Sequence, residues 1–194
     1  MSKDIDEIEF TIFDTETTGL DPKSGDRIIE LAAVRFKGGN RLSVFQSLVN
    51  PEYPVSPGAF NVNKISREML IPAPKPIEII PKFLDFVQGS YLCCYNADFD
   101  LGFLNNELKI LELTQINDIP VVDILKIARI ILPGLERYAL WYVAENLGIK
   151  IKQEHRALSD VELTLGVFYK LKELIRGRGI ADFDKFLGLS GKIS

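Results

Sequence analysis

The sequence predicts an α/β fold, on three observations. Apolar runs of strand length alternate with helix-like segments along most of the chain. Two of those runs flank Lys37-Gly38-Gly39-Asn40, and paired glycines between apolar runs mark a hairpin because they tolerate positive φ. The last long segment puts Leu158, Val161, Leu165, Phe168 and Ile175 on one stripe, with the period of a helix packed on a sheet. At 194 residues the chain is sized for one domain of ~150 residues with a short appendage. We expect residues 1–176 to form the domain and 177–194 a tail or terminal helix.

Each element follows from local composition. Glu7–Thr15 (EIEFTIFDT), rich in Ile and Phe, is the first strand, and Arg27–Lys37 and Arg41–Val49 are the second and third. Asn50 to Pro81 holds seven of the ten prolines, which favours an extended surface loop with short helical turns, one around Ser66–Leu70. A helix over Ile77–Val87 follows, expected to be distorted where Pro81 removes a backbone donor. Tyr91–Tyr95 (YLCCY) reads as a buried strand, and Phe99–Leu108 as a helix opening after Asn96 or Asp98. Ile119–Asp123 is the last strand, and Asp123 caps a helix over Ile124–Ile131 that Pro133-Gly134 ends. Tyr138–Leu147, closed by Gly148, and Ala157–Ile175 are two further helices, with Trp141 and Tyr142 read as core or margin.

Composition excludes several functional classes. With 46% hydrophobic and 26% charged residues, the chain is globular rather than disordered. The stretch MSKDIDEIEF has no apolar signal segment, and no charge-free apolar window approaches the ~18 residues of a membrane span. Cys93 and Cys94 are adjacent, which disfavours a disulfide and suits a reducing compartment, so the expectation is a cytoplasmic protein with no membrane partner. The net charge of −4 is the wrong sign for holding nucleic acid by bulk charge, so metal ions or local basic patches would have to reverse the field. Arg35, Lys37 and Arg41 near the hairpin, or Lys64 and Arg67 near the loop, could steer a nucleic-acid backbone or form ordinary solvated faces. No G-x-G-x-x-G is present, so a nucleotide cofactor gains no support.

The chemistry-bearing residues are acidic. Asp14 and Glu16 close the first strand two positions apart, on one face. Burying two like charges is costly unless cations compensate, so the pair is either a cradle for hard divalent ions or a polar strand end in solvent. Asp100 opens the helix after the fourth strand, where a favourable helix terminus is the simpler role. His155, the single histidine, lies five residues before Asp160, and on one helix the two would diverge by about 140°. They converge more easily with His155 in the preceding loop and Asp160 in the first turn, on the strip of Thr164, Val167 and Leu171. Glu30 lies mid-strand and could support the site's acids from behind, although nothing in the sequence decides it.

FDTETTGLD at 13–21, NADFDLGFL at 96–104 and HRALSDVEL at 155–163 resemble the three motifs of the DEDDh 3′–5′ exonucleases, with a likeness to the proofreading epsilon subunit of bacterial DNA polymerase III. The resemblance spans Glu7 to Ile175 and departs from the family at Tyr95 and Asn63, where histidines are usual. It implies a ribonuclease H-like core, a central mixed five-stranded sheet flanked by helices. It also implies a metal-dependent exonuclease acting on single-stranded or frayed DNA 3′ ends, free-standing or with a DNA polymerase. Asp14, Glu16, Asp100 and Asp160 would hold two divalent ions, Mg²⁺ or Mn²⁺, with Asp14 bridging, and His155 would act as general base. Thr17, Thr18, Gly19, Leu20 and Asn96 would contact the terminal nucleotide. The motifs equally admit an exoribonuclease acting on RNA, and a silent nucleic-acid- or polymerase-binding module is the alternative from another class.

Overall fold

The computed structural model describes residues 3–116, 120–150 and 155–190. In chain order these form β1 (Glu9–Thr17), β2 (Ile28–Lys37), β3 (Asn40–Leu48), α1 (Pro57–Asn63), α2 (Arg67–Leu70), α3 (Pro76–Val87), β4 (Tyr91–Cys94), α4 (Ala97–Ile110), β5 (Val121–Asp123), α5 (Ile124–Ile131), α6 (Leu140–Asn146), α7 (Ala157–Gly177) and α8 (Phe183–Leu189). The five strands make one mixed sheet in the order β3-β2-β1-β4-β5. β1 and β3 run antiparallel to β2, while β1, β4 and β5 are parallel. The glycine pair is the hairpin turn, with Lys37 opposite Asn40.

Alternation along the strands sends side chains into two separate cores. Phe10, Ile12, Ala32, Val34, Phe36, Cys93 and Val122 face a layer of α5, α6, α7 and α8. Phe13, Leu31, Ala33, Leu92, Cys94 and Val121 face α3 and α4. The adjacent cysteines therefore point into opposite layers as free, buried thiols. Among the described residues, no helix is long and apolar enough to cross a membrane.

The chain beyond Arg176 forms a terminal helix rather than a tether through residue 190; the last four residues lie outside the described set. Phe183 and Phe186 of α8 stand 5.9 and 6.2 Å from the Phe10 ring, beside Phe168 of α7 at 5.2 Å. Backbone bonds from Ile5 to Ala181 and from Phe183 to Lys3, each 3.0 Å, lace the two terminal segments together.

The structure corrects three readings. The proline-dense loop contains a true helix, α1, because Ser56 caps the Ala59 amide at 3.2 Å and Pro57 occupies the first turn. α3 runs uninterrupted through Pro81, since the carbonyl the proline leaves free belongs to Ile77 in the solvent-exposed first turn. Trp141 is exposed at the start of α6 rather than core, with the Arg137 guanidinium over its ring. Of the predicted last strand, Ile119 lies outside the described residues.

Candidate active site

The carboxyl ends of β1, β4 and β5 meet at one edge of the sheet, where α/β folds present their ligand sites. Asp14 and Glu16 lie on the same face of β1, opposite Ala32 and Glu30 of β2, and a register shift after Glu16 bends the strand end. Thr15 between them faces the other layer and receives Asp100 from the first turn of α4. Its amide and hydroxyl both donate to Asp100 Oδ1, at 3.0 and 2.8 Å. Asp160 comes from the first turn of α7, buried on the same strip as Thr164, Val167 and Leu171.

Carboxylate oxygens of Asp14, Glu16 and Asp160 lie within 4.8 Å of one another, the one such acidic group among the described residues. Asp100 stands outside that triple, yet is the leading charged neighbour of Asp14. His155 precedes α7 in a left-handed conformation, φ 51°, with Nδ1 4.0 Å from Asp160 Oδ2. Five residues from three separate stretches of the sequence are thus drawn together at one edge.

The cost of this crowding shows in the protonation of the acids. Burial, then the charges of Asp100, Asp160, Glu16 and Glu30, push Asp14 well above the ordinary carboxylate range. Burial, then Asp160, Glu30 and Asp100, raise Glu16 to about 8, partly offset by a hydrogen bond from Asn63. Burial raises Asp100 to about 7 against the bonds from Thr15. Without positive charge nearby, burial and mutual repulsion disfavour the charged forms of Asp14, Glu16 and Asp100. An all-carboxylate donor set that repels itself fits hard divalent cations, which favour oxygen ligands.

The TTGL segment follows Glu16 directly at the end of β1. Thr17 Oγ1 donates to the Gly19 carbonyl at 2.6 Å. Thr18 is built into the fold, with its amide on the Arg27 carbonyl, its carbonyl on the Ser56 amide and its hydroxyl on Asp26. Arg27 in turn straddles the buried Glu107 of α4 with two bonds of 2.7 Å. A Cβ at Gly19 would run into the Asp26 carboxylate, which would have to shift off Thr18 to make room. Leu20 is 84% exposed at the tip, and Asn96 is exposed at the start of α4 with its side chain uninvolved in capping.

Two contributors escape the motif pattern. Asn63 is buried at the end of α1 and binds the Thr17 carbonyl at 3.3 Å. Glu30 is buried, and burial alone would raise its carboxyl. Bonds from Arg156, Gln46 and the Ala157 amide outweigh that and hold it below its usual value. An alternation of polar and apolar residues in β2 would have exposed Glu30 to notice, but the strand is buried on both faces.

Of the basic residues that could steer a strand, Arg35 ties Glu9 to the carbonyls of Phe86 and Gln88, and Arg41 pairs with Glu162. Arg67 lines a cavity of about 740 Å³ with Tyr53, Phe60 and Ile65, and none of the clustered carboxylates borders it.

Residues 11–168 match the family model for RNase_T exonucleases. The chain is 37% identical over 172 residues to the PolC-type DNA polymerase III of Caldanaerobacter subterraneus subsp. tengcongensis, covering 89% of this chain and 12% of that one. It is 36% identical over 163 residues to the DNA polymerase III subunit epsilon of Treponema pallidum, covering 83% of this chain and 75% of that one. It therefore spans only about an eighth of the PolC-type relative. Exonuclease X, solved in complex with 5′ overhanging duplex DNA, superposes with a TM-score of 0.72 at 24% identity, covering 94% and 99% of the two chains. That likeness establishes the ribonuclease H-like fold.

Proposed function

The chain belongs to the RNase_T exonuclease family, and we propose that it removes nucleotides from the 3′ ends of single-stranded or frayed DNA. The observation that carries this reading is the convergence of Asp14, Glu16 and Asp160 within 4.8 Å, with His155 beside Asp160 and Asp100 bound to the same strand end. Asp14, Glu16, Asp100 and Asp160 would hold two divalent ions, Mg²⁺ or Mn²⁺. These supply the positive charge that activates water and stabilises the leaving 3′ oxygen.

The protein's own groups account for the rest. The four carboxylates, spread over β1, α4 and α7, fix the site from three rigid elements, so little reorganisation is needed when substrate enters. With Nδ1 turned toward Asp160 Oδ2, the His155 ring keeps Nε2 to take the proton from the attacking water. Leu20, exposed at the tip of the TTGL loop, would wedge against the terminal base. Thr17, Gly19 and Asn96 would meet the terminal nucleotide and its 3′ hydroxyl, while Thr18 holds the loop in place. The unit that does this is residues 1–176, with α8 sealing the core beneath it. The matched polymerase III relatives support a role beside a DNA polymerase in the cytoplasm.

A 5′-labelled single strand, incubated with Mg²⁺, Mn²⁺ or chelator, tests the proposal. A ladder shortening from the 3′ end that chelator abolishes is expected. Matched RNA reads the 2′-hydroxyl discrimination, and faster hydrolysis of RNA would replace DNA as substrate. Normal strand binding with no turnover in either metal would refute the nuclease in favour of a silent module.

A further inference from the structure

Resting on the exonuclease reading, we propose that Glu30 and Arg156 form a clamp that positions His155 for proton transfer. Glu30 sits on β2 directly across from Glu16, fully buried, on the face where the cation-binding acids gather. A fifth carboxylate there would ordinarily be another ligand, but both its oxygens are engaged. Arg156 donates Nε to Oε2 at 2.9 Å and Nη2 to Oε1 at 2.8 Å, the two-pronged fit of guanidinium on carboxylate. The Ala157 amide reaches Oε2 at 3.2 Å and Gln46 reaches Oε1 at 3.1 Å.

These contacts do for α7 what its own sequence does not. The helix begins after Arg156, which offers no side-chain cap, so its first amides need outside acceptors. Glu30 supplies one from across the sheet, and its charge suits the positive end of the helix. His155 occupies a left-handed conformation that a residue with a Cβ rarely adopts, and its neighbour Arg156 is pinned at two points. The same carboxylate therefore fixes the turn that carries His155. Glu30 and Arg156 are positioning residues, acting through the imidazole rather than on the substrate.

The test uses the full chain without a histidine tag, so that His155 gives the single histidine Cε1–H resonance. Glu30→Gln and Arg156→Met are compared with the parent, each also in a His155→Ala background. Expected is a kcat lowered about 10–100-fold with KM within about twofold. No further loss should appear in the His155→Ala background, Mn²⁺ affinity should be unchanged, and the His155 resonance should be displaced. Arg156→Lys, which keeps charge but cannot straddle both oxygens, should recover only part of the rate, and it stands in if Glu30→Gln fails to fold. Equal losses in both backgrounds, weakened Mn²⁺ binding, or an unmoved resonance would overturn the clamp. A parent protein without turnover would instead sink the exonuclease reading, while the resonance still decides whether the clamp holds His155.

Discussion

In the proposed mechanism His155 would be the most exposed participant, and it alone of the five motif residues sits outside a regular element. Replacing it with alanine should lower kcat about 10²–10⁴-fold, the range for losing a positioned general base, with KM little changed. Steady-state rates on an end-labelled strand read this, and a loss confined to KM would contradict it. The acids next to it make a separate statement about stability. The unfolded chain releases carboxylate protons near pH ~4, whereas the folded chain keeps that of Asp100 to about 7 and that of Glu16 to about 8. Between those values the folded state binds more protons, so metal-free stability must fall as pH rises. Melting curves in chelator should therefore drop from pH 5 to pH 8, with Mn²⁺ restoring most of the loss at the upper end. A flat or rising profile in chelator would contradict the raised acids. The motif residues were legible as letters in order, since strand ends and first helical turns are predictable places. Glu30 and Asn63 were not legible, because their worth depends on partners 126 and 46 residues away.

At the scale of elements, α8 and the TTGL loop are the parts that packing explains best. Phe183 joins the ring cluster around Phe10, so Phe183→Ala should cost about 3–5 kcal/mol of stability. A urea melt reads it, and a loss below ~1 kcal/mol would mean that α8 is a loosely held tail. Gly19→Ala drives a methyl into the Asp26 carboxylate that orders Thr18, and overpacking of this kind costs about 1–3 kcal/mol. The hairpin, β4, α5 and α7 follow directly from sequence, because glycine pairs, an aspartate cap and a helical stripe are local signals. α1 was hidden by the weight of prolines around it, although Ser56-Pro57 is itself a helix start. The fate of the last segment was undecidable locally. Its phenylalanines acquire meaning only once Phe10, Phe36 and Phe168 are assembled opposite them.

For the molecule as a whole, the governing fact is charge. A chain of net charge −4 brings four acids to one sheet edge, and on the proposed function it would then have to admit a polyanion. On that proposal cations would occupy the edge, and the sequence departures at Tyr95 and Asn63 leave the clustered acids in place. Tyr95 bonds the Tyr138 carbonyl at 2.7 Å, and Asn63 supports the end of β1. Titration of Mn²⁺ into the parent protein and into Asp14→Asn and Asp160→Asn, followed by electron paramagnetic resonance, addresses this directly. Two bound ions in the parent, with at least one lost in each variant, is the expected result. Failure of the parent to bind Mn²⁺, or full binding retained by both variants, would contradict it.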